Sequence, residues 1–227
     1  MCGRVSLGDL TTDNLREYFV LDQVAPIPNS FNVAPSQLLP VVRQLGRSRV
    51  LHLLLWGLVP HWAKDREIAR HTFNARIETL TRKPSFRAPF KAQRCIVTAS
   101  GFYEWQKQEE QKQPFYVHRP SRQPLALAGL WDAWLDKESG NLLESCTIVT
   151  TKATGAMADI HQRMPAILEP ELFAAWLDPR FGDTHRLQDL LESNTPELEM
   201  FPVSGYVSNA YNDGKRCLRP LETVSLR

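Results

Sequence analysis

From Leu38 onward the apolar positions fall in short strand-length runs broken by turn residues. Leu38 to Arg43 and Val50 to Leu55, on either side of a turn at Gly46, predict a β-hairpin. Further strands are predicted at Arg94 to Ala99, Phe102 to Gln106, Phe115 to Arg119, Leu125 to Leu130 and Ser145 to Thr151, with a late one at Met200 to Val203. Turn chemistry at Ser100-Gly101, Lys107 to Gln113 and Pro120 to Pro124 separates the middle ones. Helical spacing appears around Leu15, Tyr18 and Phe19, where Thr11 and Thr12 offer a cap and the helix is expected from about Asp13 to Leu21. It returns at Leu172, Phe173, Trp176 and Leu177 behind Pro170, and at Leu187, Leu190 and Leu191. Ala25 to Pro35 and the tail from Ser208 read as loop. Closely spaced strands with few helices predict an α+β fold, in which a twisted antiparallel sheet curls into a barrel-like form with helices packed outside.

Composition changes this picture little. The 227 residues are 43% hydrophobic and 23% charged, ordinary for a globular chain, and no linker, repeat or low-complexity run divides them, so one domain over residues 2–227 is expected. The four cysteines, at positions 2, 95, 146 and 217, form no C-x-x-C pair and have no histidine cluster nearby. Neither a metal nor another cofactor is therefore expected. The start of the chain lacks the pattern of a signal peptide, and the apolar run Leu51 to Pro60 is short and interrupted by His52, so no membrane association is expected. The reading is of a soluble, cytoplasmic protein in which Cys95, Cys146 and Cys217 are buried small residues. Net charge is only +2, but Arg76, Arg82, Lys83, Arg87, Lys91 and Arg94 face the single acid Glu78 between residues 74 and 94. Such a stretch suits a phosphate backbone, and equally a solvated face.

Candidate chemistry begins at Cys2. Removal of Met1 would leave an α-amine, with an ordinary pKa of about 7.7 to 8.0, one carbon from a thiol at about 8.5. An aldehyde meeting both closes into a five-membered thiazolidine. Within Gly101-Phe102-Tyr103-Glu104-Trp105, strand alternation puts Glu104 beside Phe102 and away from Tyr103 and Trp105. A carboxylate among aromatics carries protons near neutrality, unless it pairs with a rim arginine. His161 sits at a break in regular structure before Pro165 and is a second proton carrier, whereas His52, His61, His71, His118 and His185 are read as structural. Asn74 and Arg76 would point the same way in an extended segment, an amide and a guanidinium suited to a phosphate or a sugar. Trp56, Trp62 and Trp105 are candidates for stacking on bases or for the core.

Met1-Cys2-Gly3-Arg4, Phe31-Asn32-Val33-Ala34-Pro35, Trp56-Gly57-Leu58-Val59-Pro60, Asn74-Ala75-Arg76-Ile77-Glu78-Thr79, Gly101 to Trp105, Thr147 to Thr150, His161 to Pro165 and the tail Val207 to Asn212 together resemble the SOS-response-associated peptidase family. The resemblance implies a protein that crosslinks covalently to abasic sites in single-stranded DNA through Cys2, shields them from strand cleavage, and acts as a monomer that joins the nucleoid when bound. It implies catalytic roles for Cys2, Asn74, Glu104 and His161, and DNA contacts from Arg4, Asn32, Trp62, Arg76, Lys83, Trp105, Thr150 and Arg163. The family's name implies a peptidase activity, for which only Met1 precedes Cys2 here. Ala63, where the family often carries a second bulky aromatic, and Gln162, where it often carries an acid, depart from the pattern. Two other functions stay open, an N-terminal-cysteine amidohydrolase and a single-strand-binding module without chemistry.

Overall fold

The hairpin around Gly46 is one wall of a closed barrel. In the computed structural model, which describes residues 2–109 and 111–221, the chain begins with β1 (Val5–Ser6), α1 (Thr12–Phe19) and β2 (Gln23–Val24). The hairpin strands β3 (Leu38–Leu45) and β4 (Ser48–Trp56) precede β5 (Asn74–Arg76), α2 (Pro84–Ala92) and β6 (Arg94–Ala99). Then come β7 (Gly101–Lys107), β8 (Lys112–His118), β9 (Leu125–Leu135), β10 (Leu142–Lys152) and β11 (Arg163–Pro165). Helices α3 (Phe173–Leu177) and α4 (Thr184–Glu192) and strand β12 (Glu199–Pro202) complete the order.

Strands β10, β9, β6, β3 and β4 pair in that order, and β4 pairs back onto β10. A second sheet runs β1, β7, β8, β12. The α+β barrel with peripheral helices is thus the observed architecture, but the sheet is not all antiparallel: β2 lies parallel to β4, and two further pairings are parallel as well. The seam is parallel, Ser145 opposite Leu55 and Cys146 opposite Trp56, and β5 also lies parallel to β10 with Asn74 opposite Ile148. Such pairing joins segments some 90 residues apart and leaves no turn signal between them.

Period-two alternation divides the core. Leu39, Val41, Leu54, Trp56, Val97, Leu127, Cys146 and Ile148 point into the barrel, where Cys2, Val5 and Phe102 join them. Val42, Leu51, Ile96, Ala128 and Val149 point outward under Phe19, Phe90, Phe173 and Trp176 from the helices. Burying each such large side chain stabilises the fold by roughly 1.5–3 kcal/mol. Thr11 caps α1 by accepting from the Asn14 amide at 3.1 Å, as its sequence suggests. Where β4 ends, Gly57 adopts φ +128°, and a Cβ there would lie 2.7 Å from the Ala69 carbonyl oxygen.

Helix α2 was not foreseen, because Pro89 stands inside it without an amide to donate. It also divides the basic stretch. Arg94 is buried, and its guanidinium donates to the carbonyls of Phe90, Lys91, Trp176, Asp178 and Phe181, tying α2 to the end of α3. It therefore has no place on a phosphate-binding face. Burial pulls its pKa down to about 10.

Candidate active site

Cys2 is fully buried at the mouth of the barrel. The segment after it is held as an edge strand, with Tyr103 N donating to Arg4 O at 2.9 Å and Val5 N to Val33 O at 3.0 Å. Asn74 Nδ2 donates to Cys2 O at 2.6 Å, so β5 fixes the main chain of the cysteine. Asn74 and Arg76 flank the buried Ala75 and share a side, as an extended segment requires. Burial, and after it the charge of Glu104, pushes the Cys2 thiol up to about 12, so it is held as S–H.

Glu104 is 3% exposed and lies on the same face of β7 as Phe102, whereas Tyr103 packs on the opposite side with Trp105. Glu104 opens onto a cleft of about 400 Å³ lined also by Arg4, Trp105, Lys112, His161 and Ser208. His161 comes from the turn before β11. Its Nδ1 lies 2.9 Å from Arg163 N and 3.1 Å from Arg163 O, contacts that tie the ring to the start of β11. The structure thus brings together four residues singled out from sequence, Cys2 beside Asn74 and Glu104, and His161 across the same cleft from Glu104.

The expected DNA contacts separate into three groups. Arg76, Trp62 and Lys83 present their side chains to solvent, Trp62 at 50% exposure, and none of the three lines the cleft. Trp105 lines it with its indole Nε1 donating to Ser208 Oγ at 3.1 Å. The others have internal partners. Arg4 Nη1 donates to Asn32 Oδ1 at 2.8 Å and Val207 O at 2.6 Å, and its guanidinium lies 5.7 Å from the centre of the Trp105 ring. Asn32 Nδ2 in turn donates to the carbonyls of Val207, Asn209 and Asn212. The two residues therefore fasten the tail that carries Ser208 over the site. Thr150 is buried, and Arg163 spans its carbonyl at 2.5 Å and the Glu78 carboxylate. Burial raises the Glu78 carboxyl, but the hydrogen bond from Arg163 and the nearby Arg76 more than offset this and leave it below its ordinary value.

Lys112 and Ser208 were missed. Lys112 lies in a polar run read as a turn, at the end of the β7–β8 hairpin opposite Lys107, and only the hairpin register brings it to the cleft. The described residues contain no group of histidine, cysteine and acidic side chains that could hold a metal ion. No described helix is long and apolar enough to cross a membrane.

The barrel thus closes by a parallel seam, with a buried second-position cysteine among its inward-facing side chains. The chain belongs to the SOS response associated peptidase family, whose model matches residues 1–210. It is 42% identical over 218 residues to the abasic site processing protein YoqW of Bacillus subtilis, an alignment covering 94% of this chain and 96% of that one. It is 34% identical to the abasic site processing protein HMCES of Xenopus tropicalis, over 83% of this chain and 65% of the longer relative. A crystal structure of a protein from Bacteroides thetaiotaomicron superposes with a TM-score of 0.83 at 28% identity, covering 97% of this chain and all of the other.

Proposed function

We propose that this chain processes abasic sites in single-stranded DNA by joining itself to the opened sugar through Cys2. The observation that carries the reading is the seat of Cys2, its main chain held by Asn74 and its thiol beside Glu104 at a cleft shared with His161. After removal of Met1, the Cys2 amine attacks the C1′ aldehyde, and the resulting carbinolamine loses water to give an imine. The thiol then adds across the C=N bond, its proton passing to nitrogen, and the thiazolidine closes with one water released in total. His161 donates to the sugar ring oxygen during opening, and Glu104 relays protons between amine, carbinolamine and thiol.

A thiol held neutral is a poor first nucleophile, which favours amine attack before sulfur closure and weighs against an amidohydrolase whose thiolate attacks an amide. Closure also removes the carbonyl that acidifies the neighbouring C2′ hydrogen, so β-elimination of the 3′ phosphate stops. Arg76 and Trp62 supply phosphate and stacking contacts on the open side. The names carried by YoqW and HMCES support the substrate assignment.

The test is incubation with an abasic single strand, resolved on a denaturing gel. A heat-stable shifted band is expected from the natural aldehyde and none from the borohydride-reduced alcohol or from Cys2→Ala. Glu104→Gln and His161→Phe slow the band's appearance while the strand still binds. A band that persists in Cys2→Ala would overturn the proposal.

A further inference from the structure

The β7–β8 hairpin ends in two like charges set against each other. Lys107 and Lys112 are directly opposite across its last pair, beyond which Gln108 N donates to Gln111 O at 2.8 Å and closes the turn. Like charges so placed repel and weaken a hairpin. Both lysines are exposed, and among the described residues neither forms a salt bridge with an acid. Strand alternation puts them on the face of the hairpin that carries Trp105, and Lys112 lines the cleft. Arg4, the other cation of the cleft, is already engaged with Asn32 and Val207. The hairpin is also tied to the segment that leads into His161, since Gln106 Nε2 donates to Asp159 O at 3.0 Å.

An anion between the two ammonium groups turns their repulsion into attraction. Directly opposite residues of an antiparallel pair have Cα atoms about 4.5–5.5 Å apart, so both side chains reach one small anion. We infer that Lys107 and Lys112 form a fork for one backbone phosphate of the bound strand, on the Trp105 side of the cleft. The fork rests on the chain binding single-stranded DNA. Arg76 lies outside the cleft, so the fork is a second and separate grip on the backbone, beside the reacting sugar.

Binding is measured by fluorescence anisotropy at several salt concentrations, on single strands carrying a tetrahydrofuran abasic analogue, which has no aldehyde. Each phosphate contact on a single strand contributes about 0.7 to the slope of log K against log salt, so the double variant Lys107→Gln, Lys112→Gln makes the slope shallower by about that much. Lys137→Gln, an exposed lysine in the β9–β10 turn, leaves it unchanged. A neutral methylphosphonate is then placed at one linkage at a time. At one linkage it weakens wild-type binding about three- to tenfold, the worth of two exposed ion pairs, and does not affect the double variant. Equal salt slopes in the double variant and the wild type, or methylphosphonate penalties that the double variant shares at every linkage, overturn the fork. Crosslinking to a natural abasic strand is run beside it. A wild type that crosslinks but shows neither effect sinks the fork alone, and loss of the covalent product with the linkage effect intact counts against the Cys2 reaction alone.

Discussion

Cys2 in the folded chain should resist alkylation to a degree set by its burial. Burial first, and Glu104 second, lift its thiol from 9.0 to about 12. At pH 8 a thiol of pKa 9.0 is about one-tenth thiolate, and one of pKa 12 about one part in 10,000, so the reactive form falls by roughly 1,000-fold. Steric exclusion at a fully buried sulfur adds to this. The assay follows iodoacetamide labelling of the N-terminal peptide by mass spectrometry between pH 7 and 10, in native buffer and in guanidinium. Native labelling should be at least about 1,000-fold slower and rise tenfold per pH unit without levelling off. Glu104→Gln should raise it only modestly, since burial is the larger cause. A native rate within tenfold of the unfolded one, or a plateau near pH 9, would refute the neutral-thiol argument and with it the amine-first order of events.

Three further outcomes follow from the packing. Arg94→Met removes the guanidinium on which five carbonyls converge, at a cost of about 3–5 kcal/mol. That lowers the melting temperature by roughly 6–20 °C while DNA affinity per folded molecule is unchanged; lost affinity at unchanged Tm would contradict the structural role. Cys2, Cys95 and Cys146 all have thiols raised by burial, so above about pH 9 the unfolded chain binds fewer protons than the folded one. Stability by denaturant titration should be flat below that pH and fall by up to ~1.4 kcal/mol per unit per thiol above it, and a flat profile to pH 10.5 would count against the burial. Asn74→Ala releases the Cys2 carbonyl, and crosslinking should slow by about 10- to 100-fold with strand binding retained, as anisotropy beside a timed gel would report.

The parts of the fold that were legible depend on neighbours in sequence. The turn at Gly46 gave the β3–β4 hairpin, and strand alternation put Glu104 and Phe102 on one face of β7. The Asn74 and Arg76 pairing was legible for that reason too. What escaped depends on distant partners. The β4–β10 seam joins segments far apart in the chain, and Pro89 disguises α2. Arg94, Arg4 and Asn32 look like surface contacts until the carbonyls they serve, 3 to 203 positions away, are folded against them.

The most direct measurement is the identity of the atoms that hold the DNA. After reaction with an abasic strand, nuclease and trypsin digestion should yield Cys2-Gly3-Arg4 carrying the deoxyribose remnant with one water lost, and with neither a free amine nor a thiol that iodoacetamide can label. An adduct on a lysine, or on a peptide that keeps Met1, would contradict the account.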